Sequence, residues 1–336
     1  MLIRRKAAAE RYRLLTLKSK NTHMQRTQIT DTILMVRPVR FGYNHETAEN
    51  NLYQKKPDTK SAAEIQTAAL YEFNQFVQKL EGAGVNILVV DDTDEPRKTD
   101  SVFPNNWIST QQDGTVVTYP MWAPSRRAER REEIINELQQ GYRISQRVDY
   151  SKYEVEGKFL ESTGSMILDR EHQIAYACIS PRTDREVLAQ FCRDFGFLPV
   201  LFTASQKTAK GGLADIYHTN VMMSVGENIA ILCNEAIRDA AEKQRVNELL
   251  RETGKEMIYI SEEQCNHFAG NMLQVRNQAG ERILVMSEQA YRSLTTAQIG
   301  RIEKLCRILH SPLYTIEACG GGSARCMMAE IFLPRA

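Results

Sequence analysis

The apolar positions of the chain follow two alternating patterns. In the stretches WISTQQDGTVVTYP, MILDREHQIAYACIS, VMMSVGENIAILCN and MLQVRNQAGERILVMS, two runs rich in Val, Ile, Leu and Met flank a short polar break. Such paired runs predict β-hairpins. Asp113-Gly114, Asp169-Arg170-Glu171, Gly226-Glu227-Asn228 and Gln278-Ala279-Gly280-Glu281 supply the turns, because Gly, Asn and Asp tolerate the positive φ of tight connections. Between the hairpins, residues 62–82, 126–141, 183–196, 235–253 and 287–308 place most apolar side chains at i, i+3 and i+4 and predict helices. Short strands such as VNILVV and FLPVLF follow them.

The order strand, strand, helix, strand then repeats. Asn106, Ser165, Asn220, Asn271 and Cys326 stand at equivalent strand openings and recur with a period of about 55 residues. The last opening, GGGSARCMMAEIFLP, is followed by one strand only, whereas DTILMVRPVRF near the start is a strand without a hairpin. These two are expected to pair and close the architecture. Five ββαβ-type units in a ring, forming one α/β domain over residues 29–336, would turn the polar openings toward a common axis and line a pocket there.

Composition changes the picture little. With 336 residues, 42% hydrophobic and 25% charged, the chain reads as globular. A net charge of +1 lacks the broad positive field that nucleic acid requires. No apolar run is long enough to predict a membrane span. Seven scattered cysteines suit a reducing compartment, so a cytoplasmic location is expected. Residues 1–28 hold eight Lys or Arg against Glu10 alone and are expected to form a flexible basic extension.

Three opening residues suggest chemistry. Cys326 sits where a glycine-rich loop runs into an apolar strand, His218 precedes the equivalent opening HTNVMM, and Glu161 enters a buried strand in FLESTGSM. They meet the requirements of a nucleophile, an acid/base and an orienting carboxylate. Core cysteines such as Cys192 read as inert filling. No CxxC or HExxH spacing is present, and GGGSAR lacks the ending of a phosphate-binding loop, so neither metal nor nucleotide is expected.

HTN around His218, LESTGS, TDSVFPNNW and the near-terminal Cys326 together resemble the guanidine-modifying (amidinotransferase/arginine deiminase) superfamily. The resemblance runs over residues 33–334 and is greatest to the amidinotransferase-like branch associated with citrulline utilisation. It implies a pentein fold, a five-fold pseudosymmetric α/β propeller, and chemistry without a cofactor. By the same resemblance Cys326 attacks the central carbon of a guanidinium or ureido group, His218 protonates the departing nitrogen, and Glu161 orients the substrate. Asn106, Asn220 and Ser165 stand where arginine deiminases carry acids. Carboxylates suit a guanidinium, so their loss favours a neutral ureido substrate: citrulline, converted to ornithine, ammonia and carbon dioxide. Asp100 is the carboxylate that could still reach a guanidinium.

Arg37, Arg40 and Arg325 are the candidate clamps for a substrate carboxylate, with Asn44 and Asn271 as further polar contacts. The alternatives are an amidinotransferase, an arginine deiminase-like or dimethylarginine hydrolase-like enzyme, and a non-catalytic sensor on the same fold. The expected partner is a small amino acid, and a homo-oligomer is left open.

Overall fold

Each hairpin turn read from the sequence closes an antiparallel strand pair in the computed structural model, which describes residues 26–56, 59–208 and 211–336. In chain order the first strands are β1 (Thr32–Arg37), β2 (Asn86–Asp91), β3 (Ile108–Thr110), β4 (Thr115–Thr118) and β5 (Gln146–Asp149). Next come β6 (Ile167–Asp169), β7 (Ile174–Cys178), β8 (Leu198–Phe202), β9 (Ser205–Lys207) and β10 (Leu213–Asp215). The remainder are β11 (Met223–Val225), β12 (Ile229–Leu232), β13 (Glu256–Tyr259), β14 (Leu273–Arg276), β15 (Arg282–Ser287), β16 (Arg307–Ser311) and β17 (Ala329–Glu330).

Five three-stranded sheets share one topology: β3-β4-β5, β6-β7-β8, β11-β12-β13, β14-β15-β16 and β17-β1-β2. In every sheet the first pair is antiparallel and the second parallel. A parallel pair needs a crossover, and helices such as Ala62–Gly82, Arg185–Phe195 and Ala240–Glu252 provide it. The last opening takes its missing partner from the beginning of the chain, Ile33 lying opposite Glu330 and Leu34 opposite Ala329. Middle strands are buried on both faces, β7 and β12 along their whole length, which explains their nearly unbroken apolar runs.

Where the elements depart from the expected ones, local chemistry gives the reason. Residues 287–308 form two helices, Glu288–Ser293 and Thr296–Glu303, because Thr295 makes a capping box with Gln298 and restarts the helix; the last two residues belong to β16. In 126–141 a 3₁₀ turn, Pro124–Glu129, precedes the helix Glu132–Gly141. The hairpin β9–β10 was not expected; it lies between β8 and His218. Residues 1–25, most of the basic extension, fall outside the described residues. Gln28, assigned to that extension, is buried, and its amide binds Leu168 O, Val225 O and Arg170 N. Among the described residues no helix is long and apolar enough to cross a membrane.

The strand openings are short helical turns rather than loops: Pro104–Asn106, Ser162–Ser165, Thr219–Val221 and Ala324–Met327. They pack against one another, which sets polar residues from distant parts of the chain side by side. Outside them, helix Ala62–Gly82 buries Ile65, Ala69, Phe73, Phe76 and Leu80 on its inner face. Phe73→Ala should cost about 3–5 kcal/mol, read in urea unfolding as a lower midpoint with an unchanged slope. A loss below 1 kcal/mol would show that this helix is not part of the core.

Candidate active site

Glu161 stands immediately before the turn Ser162–Ser165, and the next residue, Ser162, adopts a left-handed φ of 44°. The Glu161 carboxylate is fully buried. Its Oε1 accepts from Trp122 N at 2.9 Å and its Oε2 meets His218 Nε2 at 2.7 Å. Arg182 Nη1 lies 3.5 Å and Arg126 Nη1 4.0 Å from the same Oε2. Burial alone would raise the Glu161 pKa, but Arg182, the His218 bond and Arg126 outweigh it and hold the carboxyl well below its ordinary range.

For His218 burial wins. It pushes the ring down to about 4, with Arg182 and Arg126 working in the same direction against Glu161. The resting imidazole is therefore neutral, with Nε2–H donating to the carboxylate and Nδ1 left free of protein partners among the described residues. Gly164 lets this ring approach: a Cβ there would lie 2.8 Å from His218 Nδ1 and 2.5 Å from Asn106 Nδ2.

Cys326 lies in the turn Ala324–Met327, beyond the glycine loop. Gly320 and Gly322 make room for the Phe103 ring, which a Cβ would meet at 2.7 Å and 3.0 Å respectively. Two amides serve the sulfur, since Asn220 Nδ2 and Asn271 Nδ2 each donate to Sγ at 3.3 Å. Asn271 is fixed in turn, donating to Asn220 O and accepting from Arg325 N.

Cys326 and His218 line one cavity of about 260 Å³ together with Asp100, Asn106, Arg126 and Arg182, while Phe103 and Tyr217 form apolar walls. No hydrogen bond joins the sulfur to the imidazole. Asp100 Oδ2 accepts from Asn44 Nδ2 at 2.8 Å, but Oδ1 is buried without a partner. Burial raises the Asp100 pKa despite nearby Arg126. A cationic donor entering the cavity would satisfy that oxygen.

Several expected residues stand elsewhere. Arg37 ends β1 and pairs with Asp91 on the surface, and Arg40 pairs with Asp94 in solvent; neither reaches the cavity. Arg325 turns away to Met328 O and Glu330. Ser165 is buried beneath the site, accepting from Glu161 N and donating to Arg182 O, so it supports the carboxylate's backbone and meets no ligand. Asn220 serves the sulfur instead of lining the cavity.

Arg126 and Arg182 were missed. Both lie in loops that follow the middle strand of their units, and only the fold shows that these loops turn inward. Arg126 is held by both Glu129 oxygens at 2.8 Å and donates to Asn106 Oδ1 at 2.9 Å. Arg182 lies over the rings of Trp122 and Tyr217 and donates to Asn50 Oδ1 and Thr47 O. Among the described residues no cluster of His, Cys, Asp or Glu suits a metal ion.

Comparison with known proteins agrees with this architecture. The N-terminal domain of ArgZ, an arginine dihydrolase from the ornithine-ammonia cycle in cyanobacteria, solved with substrate bound, superposes with a TM-score of 0.68 at 16% identity; the match covers 90% of this chain and 98% of that domain. Against apo ArgZ the TM-score is 0.67 at 17% identity, and this chain, matched over 90% of its length, spans 41% of that protein. A dimethylarginine dimethylaminohydrolase in adduct with S-methyl-L-thiocitrulline gives 0.61 at 17% identity, over 90% of this chain and all of the other. The fold is thus the α/β pentein type, built from repeated small mixed sheets. No curated protein sequence matches the chain. The model of the family described as "N,N dimethylarginine dimethylhydrolase, eukaryotic" matches residues 37–333. That family supports the guanidino alternative above the citrulline reading. The chain belongs to the dimethylarginine dimethylhydrolase family, hydrolases of guanidino C–N bonds in arginine derivatives.

Proposed function

We propose that this protein hydrolyses the guanidino group of arginine or a substituted arginine to a ureido group, through a covalent intermediate on Cys326, at the hub of a five-fold pseudosymmetric propeller. One observation carries the reading: a thiol, a neutral imidazole and a carboxylate oxygen without a partner line the same cavity. Asp100 Oδ1 would accept from the guanidinium N–H groups, a charge-assisted bond that the site leaves unmade in their absence.

The chemistry then runs in two steps. Sγ attacks the guanidinium carbon, the thiol proton passes to His218, and His218 hands it to the nitrogen that leaves as an amine. Donation from Asn220 and Asn271 favours the sulfur's anionic character on the way. In the second step His218 takes a proton from water, whose oxygen adds to the same carbon. The C–S bond breaks, the sulfur recovers the proton, and a ureido product departs. Glu161, holding Nε2–H, stabilises the imidazolium that forms briefly in each step.

Three positions without acids, Asn106, Asn220 and Ser165, favour citrulline in the sequence. Two of them, Asn220 and Ser165, serve the sulfur and the Glu161 backbone. Asn106 alone lines the cavity, and it favours a second reading, in which the uncharged ureido product is retained and hydrolysed onward to ornithine, as an arginine dihydrolase would do.

Purified protein incubated separately with arginine, N-methylated arginines and citrulline distinguishes these readings. Citrulline and free amine or ammonia in equal amounts are expected from a guanidino substrate; ornithine accumulation would replace the first reading by the second, and no turnover of any of them would overturn both. Cys326→Ser should abolish turnover with an unchanged unfolding midpoint. Asp100→Asn should lower kcat/KM by roughly 10- to 100-fold, the worth of one hydrogen bond to a charged group; an unchanged kcat/KM would remove Asp100 from substrate binding.

Stability should also report on His218. Its folded pKa of about 4 lies below the ordinary 6.5, so the unfolded chain takes up the proton first and stability drops as pH falls from 6.5 toward 4. Relative to His218→Asn, the wild type should lose up to roughly 3 kcal/mol across that window, measured by urea unfolding. A pH-independent difference would mean that the ring is protonated normally in the fold.

A further inference from the structure

The turns that carry Glu161 and Cys326 also border a second cavity, of about 320 Å³, to which they contribute Thr163 and Arg325. Two guanidinium groups, Arg170 and Arg325, line it against a single carboxylate, Glu330. Arg325 is paired there, donating through Nη1 to Met328 O at 2.7 Å and through Nη2 to Glu330 Oε2 at 2.8 Å. Glu330 is thereby committed to Arg325.

Arg170 is different. It is 6% exposed, its guanidinium stacks 4.1 Å over the Phe332 ring, and its one side-chain hydrogen bond runs from Nη1 to Gln111 Oε1 at 2.9 Å. Among the described residues no carboxylate lies within ion-pair distance of it. A guanidinium has five N–H donors, and a buried charge is costly unless it is paired. Burial depresses the Arg170 pKa, and Arg325 and Arg26 add repulsion against the opposing pull of Glu330. Gln28 closes the wall beside it but has already spent both amide hydrogen-bonding directions on Leu168 O, Val225 O and Arg170 N. Ser224 also lines the space, and its hydroxyl has no protein partner among the described residues.

We propose that this cavity is a binding site for a compact monovalent inorganic anion, held by the free N–H groups of Arg170 and the Ser224 hydroxyl. Water could satisfy those donors, but only an anion also offsets the excess positive charge of the lining. The site is separate from the Cys326 cavity and does not depend on the reaction assigned to it.

Chloride is the probe. The ³⁵Cl NMR line of a chloride solution should broaden on addition of the full-length protein, bromide should reverse the broadening, and Arg170→Gln should weaken binding at least ten-fold. In crystals of the wild type soaked in bromide, an anomalous peak should appear within hydrogen-bond distance of the Arg170 guanidinium. Equal broadening by wild type and Arg170→Gln would assign the effect to surface arginines and overturn the proposal, as would bromide-soaked crystals without that peak. Should Arg170→Gln fail to fold, the bromide peak in the wild type decides the matter.

Discussion

The burial of one ionised carboxylate governs the rest of the site. Glu161 is removed from water, and the charged form survives there because Arg182, Arg126, the His218 ring and the Trp122 amide surround it. Taking a carboxylate into an apolar interior costs several kcal/mol unless such partners are present. Two of those partners, and the carboxylate's own backbone, are themselves constrained. Arg126 is gripped by Glu129, Arg182 by Asn50 and two aromatic rings, and the backbone of Glu161 by Ser165. The arrangement forces an asymmetry on the His218–Glu161 pair: the negative charge stays on the carboxylate, and the ring stays neutral and ready to accept a proton.

A neutral ring and a thiol that line one cavity without a bond between them fit a site completed by its ligand. The sulfur is held by two amide donors rather than by a cation, and Asp100 keeps an oxygen without a partner. A guanidinium entering the cavity would bring a donor to the Asp100 oxygen that has none. The protein's contribution is geometric: four short helical turns, from four separate units, packed at one hub.

Much of this was legible in the sequence because it is periodic. The hairpin turns, the helical faces and the recurrence of polar openings follow from rules that act within a few residues, and the pairing of β1 with β17 follows from counting strands. Cys326, His218 and Glu161 could be singled out because each stands at or just before an equivalent opening. Arg126 and Arg182 could not, since they lie in loops whose inward path depends on contacts with Trp122, Tyr217 and Glu129 that no local pattern encodes. Arg37 misled for a different reason: it is the last residue of β1, in register with Asp91 of β2, and its side chain pairs with that carboxylate in solvent. Ser165 and Asn220 were located at the hub, but whether a hub residue faces a ligand, a sulfur or a backbone amide is settled by rotations of one turn relative to its neighbours.

The meeting of β1 and β17 has a consequence for how the polypeptide can be cut. Thr30 Oγ1 donates to Ile331 O at 2.6 Å, and Ile331 N donates to Thr32 O at 3.0 Å, so the backbone before the first strand and after the last run side by side. A short peptide bridge there, with a new break opened in the exposed connection at 278–281, would preserve all five sheets. In such a circular permutant the Cys326 sulfur would sit in the interior of the primary structure, with its surroundings in space unaltered.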